Sequence, residues 1–295
     1  MTIFRRQAAT VGLAIVLVWA SAACRRMPMA DLTRLVEARR LVSETLVELT
    51  KSTDAGNQAV MADTDEASVS FARDAETAAM RVSQNVDTLT PLLGDLGYTD
   101  EKRLLDEFRS RYTEFRSLDR DILALAVENT NVKAQRLSFG AAFEAADAFQ
   151  DALRAFAIAA TGAQAAEVKE LAATAVGALR EIQALQAPHI AESDEAAMTR
   201  LEKRAADAES VARASLAKLQ TLSKPAGVAD LARATAALDR FAATNSEIVT
   251  LSRRNSNVRS LALSLGAKRT KSAACEDSLR ALQDALSKRG FTGTK

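Results

Sequence analysis

The chain has 295 residues, 48% apolar and 26% charged, with 39 basic against 38 acidic side chains and a formal net charge of +1. The charges are interspersed, no basic block occurs and aromatics make up only 4%, which argues against a nucleic-acid-binding surface. Two cysteines exclude a disulfide framework, and a chain rich in Ala, Leu, Arg and Glu with only 11 Gly and 4 Pro predicts long helices.

The first 24 residues read as an export signal rather than part of the fold. Arg5 and Arg6 precede an apolar run from Ala8 to Trp19, and Ser21-Ala22-Ala23-Cys24 supplies small residues where a signal peptidase cuts. The run is short for a span of about 20 residues. Cys24 stands where a bacterial lipoprotein signal has its lipidated cysteine; ordinary cleaved secretion and an uncleaved anchor stay open. The expected location is periplasmic, with the protein membrane-attached through an N-terminal lipid or anchor.

Helical periodicity starts near Ala30, with Leu32, Leu35, Val36, Leu41, Leu46 and Leu49 at three- and four-residue steps. Asp63-Thr64-Asp65-Glu66 has the residues of a helix start, and a second helix follows to about Leu93. Gly94 to Gly97 is a turn. A third helix then carries Leu104, Phe108, Tyr112, Phe115, Leu118, Ile122 and Leu125 as its buried stripe. Pro188-His189-Ile190 ends the next long apolar pattern, Ser223 to Gly227 is a turn, and Leu231, Leu238, Phe241, Ile248 and Leu251 repeat the stripe. The last helix ends near Arg289-Gly290, and 290–295 is a tail.

The repetition is a tandem duplication. From Asp119 to Ala141 against Asn245 to Ala267, nine of 23 positions are identical without a gap, including Asn129-x-Asn131-Val132 against Asn255-x-Asn257-Val258. Ala62 to Ala67 returns as Ala191 to Ala196, three residues further offset, and the length difference falls in a turn. Asn tolerates the left-handed conformation that ends a helix and is a good N-cap. A tight hairpin at each Asn-x-Asn is therefore favoured over an unbroken helix, whose apolar register runs on through Val132 to Phe139 and Phe143. No proline lies between Asn131 and Pro188, so a single helix shared by both copies is expected there. The predicted fold is all-α: two tandem antiparallel four-helix bundles, over 25–156 and 157–289, stacked end to end through that helix.

The run Ile122 to Ala134, followed by Leu137-Ser138-Phe139-Gly140, resembles the membrane-distal half of the four-helix-bundle sensor domain of methyl-accepting chemotaxis proteins. The resemblance implies an extracytoplasmic binding module for a small ligand or a membrane receptor partner, and commonly a homodimer. It lacks the second apolar span, HAMP linker and signalling hairpin, so no output of its own is implied. The competing expectation is an envelope lipoprotein that serves as a helical spacer or assembly scaffold.

Candidate sites are few. Asn129, Asn131, Asn255 and Asn257 are candidates for a bundle-tip or partner surface. The acidic turns Asp63, Asp65, Glu66 and Glu192, Asp194, Glu195 offer oxygen ligands for a divalent cation, but capping explains the same spacing, and no metal is expected. His189 is the only histidine, which rules out two-histidine metal sites; beside Pro188 it is expected in an exposed turn. No Gly-x-Ser-x-Gly or phosphate loop occurs, so neither an enzyme nor a cofactor is expected. Cys275 shares a face with Leu279, Leu282 and Leu286 and is expected as a buried free thiol.

Overall fold

The computed structural model describes residues 29–289, all helices and turns, with no strand among them. The expected export segment, Cys24 and the expected 290–295 tail lie outside the described residues. Helix α1 spans Met29–Met61, α2 Asp65–Asp95 and α3 Thr99–Glu128. Then come α4 (Thr130–Leu137), a π-helical turn at Ser138–Ala142 and α5 (Phe143–Ala159). The second copy has α6 (Ala165–Ala191), α7 (Glu195–Leu222), α8 (Val228–Arg254), α9 (Ser256–Leu263), a second π-helical turn at Ser264–Lys268 and α10 (Arg269–Lys288). No described helix is long and apolar enough to cross a membrane.

Local chemistry sets the boundaries. Thr64 Oγ1 accepts from Ala67 N at 3.1 Å to cap α2, and Asp194 accepts from Ala196 N and Ala197 N to cap α7. Helix α2 closes on Gly97 at φ 68°, where Tyr98 N donates to Leu93 O and Gly97 N to Gly94 O. That pairing satisfies the last carbonyls and needs the left-handed backbone that glycine adopts without strain. The helix expected to run unbroken from Asn131 to Pro188 is interrupted at Ala160–Gln164, with Gly162 at φ 87°. Proline is thus not required to end it; a glycine in the left-handed region suffices.

The described residues form two compact units. In unit one (29–54, 75–117 and 270–289), Leu35, Leu41 and Leu49 of α1 join Val86 and Leu93 of α2, Phe108 and Phe115 of α3, and Leu279, Leu282 and Leu286 of α10 in one apolar core. Phe108, Tyr112 and Phe115 stack with centroids 5.5 and 6.0 Å apart, and the buried Tyr112 hydroxyl donates to Ala79 O at 2.8 Å. Leu32 and Val36, expected in the core, are exposed; Ala38 and Val42 take the inward face beside Leu35. Cys275 is free and buried in the core, as its spacing predicts.

In unit two (55–74 and 118–269), Phe149, Leu153 and Phe156 of α5 pack with Leu179 and Ile182 of α6, Leu216 and Leu219 of α7, and Leu238 and Phe241 of α8. Buried alanines on all four helices fill the space between these larger side chains and let the backbones approach closely. Helix α6 packs on both α5 and α7, and α8 lies along α4 and α5.

The bundles therefore do not follow the copies. The three helices of copy one are completed by α10 from copy two, and the three helices of copy two by α4 and α5 from copy one. The expected hairpin at each Asn-x-Asn is corrected here. Asn129 (φ 50°, ψ 37°) and Asn255 (φ 53°, ψ 38°) are single left-handed residues between helices. Helix α9 packs against α4 instead of folding back along α8. One left-handed residue breaks the helical ladder, but it does not give the chain the several-residue loop that a helical hairpin uses.

Candidate functional site

The two Asn-x-Asn segments meet in unit two. A helix start leaves backbone N–H groups without intrahelical acceptors, and neither Asn129 nor Asn255 caps its own helix. The acceptors come from the other copy. Thr130 N donates to Ser256 Oγ at 3.1 Å, and Ser256 N donates to Thr130 Oγ1 at 3.0 Å. Asn131 N donates to Asn257 Oδ1 at 3.1 Å, and Asn257 N donates to Asn131 Oδ1 at 3.2 Å. Asn131 Nδ2 reaches Asn255 Oδ1 at 2.8 Å, and Asn257 Nδ2 reaches Asn129 Oδ1 at 2.9 Å. Glu128 and Arg254, at equivalent positions, close the outside with a bond of 2.6 Å, which holds the Glu128 carboxyl below the usual range. The seam is isologous, each side supplying what the other lacks. Asn129, Asn131 and Asn255 are buried and Asn257 is half-buried, so the asparagines are used up inside the chain and present no open partner surface.

The acidic turns flank this seam as structural elements. Besides the Asp194 cap, Glu192 Oε1 accepts from Ser193 N and Asp194 N, both at 2.8 Å. Asp65 lies 3.5 Å from Lys133 Nζ, and Asp63 O accepts from Arg136. Glu66 and Glu195 are exposed in the first turns of α2 and α7. Among the described residues, no three side chains of metal-binding type are grouped together.

Beyond the seam, each π-helical turn carries a polar layer. A π turn accommodates an extra residue in a helix and recurs at functional positions. At the first turn, Ser138 Oγ donates to Gln186 Oε1 at 2.7 Å, and Gln186 Nε2 donates to Asn245 Oδ1 at 2.9 Å. At the second, Ser264 Oγ donates to Asn57 Oδ1 at 2.9 Å, and Lys268 Nζ forms an ion pair with Asp119 Oδ1 at 2.8 Å. Lys268 is 1% exposed and Asp119 fully buried. Gly56 faces this pair, and a methyl group there would overlap Lys268 Nζ.

A crevice of about 20 Å³ opens beside the first layer, lined by Ile182, Gln186, His189, Glu202, Asn245 and Ile248. His189 is not in an exposed turn: α6 continues through Pro188, and the ring is 4% exposed. Its Nε2 meets Glu202 Oε1 at 2.8 Å, while its buried Nδ1 has no hydrogen-bond partner. Arg253 grips Glu202 through both carboxylate oxygens at 2.7 and 2.9 Å. That guanidinium, seconded by His189, holds the Glu202 carboxyl below its usual range against the opposing effect of burial.

The crevice, the ion pair and the π turns are features that the sequence reading missed. A signal for the ion pair was present, because lysine at 268 replaces the alanine at 142 while Gly56 replaces Leu185 and Asp119 replaces Asn245. No protein-family model matches the chain, and no curated protein is similar enough to it to supply a family or a function.

Proposed function

We propose that the chain is a sensor-type binding module, exported and tethered at its N-terminus, that recognises a small ligand or a membrane receptor protein. The observation that supports it is the crevice beside the first π turn. Four polar side chains, Gln186, His189, Glu202 and Asn245, converge there in an otherwise apolar bundle, and His189 Nδ1 is left with an unused hydrogen-bonding capacity. Sites between the helices of a bundle are a usual place for small-molecule recognition. The resemblance of the Asn-x-Asn segments to chemoreceptor sensor bundles points the same way. The test is a thermal-shift screen of the purified protein against amino acids, organic acids and amines. A stabilising ligand whose effect disappears in Gln186→Ala supports the reading.

The crevice's size favours a second reading, an envelope spacer or assembly scaffold. A volume of about 20 Å³ is nearer to one water than to an amino acid. On this reading the protein ignores the whole panel and instead self-associates or retains envelope proteins, which light scattering and pull-down would register.

A further inference from the structure

The two polar layers occupy equivalent positions in the duplicated sequence yet differ in a correlated way. On the completing helix, Ala142 in the first π turn corresponds to Lys268 in the second. On the three-helix scaffolds, Leu185 corresponds to Gly56 and Asn245 to Asp119. Where the completing helix carries lysine, the scaffold supplies a carboxylate 2.8 Å away and a glycine that leaves room for the ammonium. Where it carries alanine, the scaffold supplies a bulky leucine and a neutral amide bonded to Gln186. The lysine layer is matched in charge and volume, and the alanine layer has neither the carboxylate nor the glycine that a lysine would need.

We propose that these layers are a recognition code: each three-helix scaffold presents a surface that selects the completing helix of the other copy. The alternative is a chain in which each copy keeps its own fourth helix. It would place Lys268 where the scaffold offers Leu185 and the neutral amide of Asn245 in place of Gly56 and Asp119. It would also place Ala142 beside Gly56 and Asp119, leaving a void where the ammonium sits and depriving that buried carboxylate of its lysine. Removing one partner of a buried pair is strongly destabilising because the other charge stays desolvated. Duplication makes this selection necessary, since the capping residues of the seam, Thr130-Asn131 and Ser256-Asn257, offer the same bonds in both copies and cannot tell one fourth helix from the other. The Lys–Asp–Gly layer supplies the asymmetry, much as a single buried polar residue sets register in coiled coils.

The test uses the full chain in a Cys24→Ser background, with Ser43→Cys and Gln283→Cys reporting whether α10 lies on α1; the native side chains at these sites are 3.3 Å apart. In one variant only the helix residues are exchanged, Lys268→Ala with Ala142→Lys. In a second, the scaffold residues are exchanged as well, by Gly56→Leu, Asp119→Asn, Leu185→Gly and Asn245→Asp. The first variant is expected to lose most of its cross-link and to melt on the order of 10 °C lower. The second is expected to regain the cross-link and most of the lost melting temperature. Wild-type cross-linking in the first variant would overturn the proposal. So would a second variant no better than the first, since local packing damage would then explain both.

Discussion

Asn131 and Asn257 cap each other's helices: each side-chain oxygen accepts the backbone N–H of the other residue, at 3.2 and 3.1 Å. The two sequence copies are thereby locked at the point where each hands its fourth helix to the other's scaffold. An N-cap drawn from a distant residue does the same work as a local one but also ties two parts of the chain together.

Reciprocity makes the seam energetically coupled. Asn131→Ala and Asn257→Ala should each destabilise the protein by about 1–2 kcal/mol. The double variant should cost clearly less than the sum of the two, because each single change already strips bonds from the other asparagine. Urea denaturation of the four members of this cycle measures the coupling, and strict additivity would contradict the reciprocal geometry.

Gly56→Ala should be more costly than an ordinary glycine-to-alanine change in a helix. Away from tertiary contacts such a change stabilises by about 1 kcal/mol. Here the methyl group meets Lys268 Nζ and Asp119 Oδ1, and overpacking typically costs about 1–3 kcal/mol. The sign of the change in denaturation midpoint is the readout. Gly177→Ala, where a side chain meets open space, is the control expected to stabilise.

Acid should weaken the protein partly through Glu101 and Glu202. Arg289 bonds both oxygens of the nearly buried Glu101 at 2.7 and 2.8 Å, and this bonding outweighs burial to hold its carboxyl below the usual range. Arg253 does the same for Glu202. A carboxyl that is more acidic folded than unfolded contributes stability above its unfolded value, and that stability is lost as pH falls through the folded value. Glu101→Gln and Glu202→Gln should therefore lower stability at neutral pH and flatten the acid limb of a stability–pH curve, while leaving it little changed near pH 8 and above in slope.

Cys275 should be inert in the folded protein. Burial pushes its thiol up to about 12, so almost no thiolate exists at pH 8. In Cys24→Ser protein, a thiol-specific chromogenic reagent should react negligibly under native conditions and with one equivalent in denaturant. Rapid native labelling would place the thiol outside the core.

The helical class, the duplication, the acidic caps and most of the core stripe were legible because each depends on neighbours in sequence: propensity, period and capping chemistry. Phe139 and Phe143 show where that reading runs out. They continue the apolar register, yet they are exposed, because the π turn at Ser138–Ala142 shifts the phase of the helix. His189 was misplaced for a related reason. Proline beside it suggested a turn, but α6 runs on through Pro188 to Ala191, and the buried bond from the ring to Glu202 helps offset the one intrahelical bond that proline removes.

By itself, the sequence determined that this protein is all-α and built from two copies with paired asparagines at their seams. Only the tertiary structure decided which fourth helix each scaffold receives and that the asparagines cap across copies. Those outcomes rest on matches between residues more than a hundred positions apart, Lys268 with Asp119 and Gly56, Asn131 with Asn257. No local period or propensity records whether a distant side chain brings the charge, the acceptor or the space that a buried group requires.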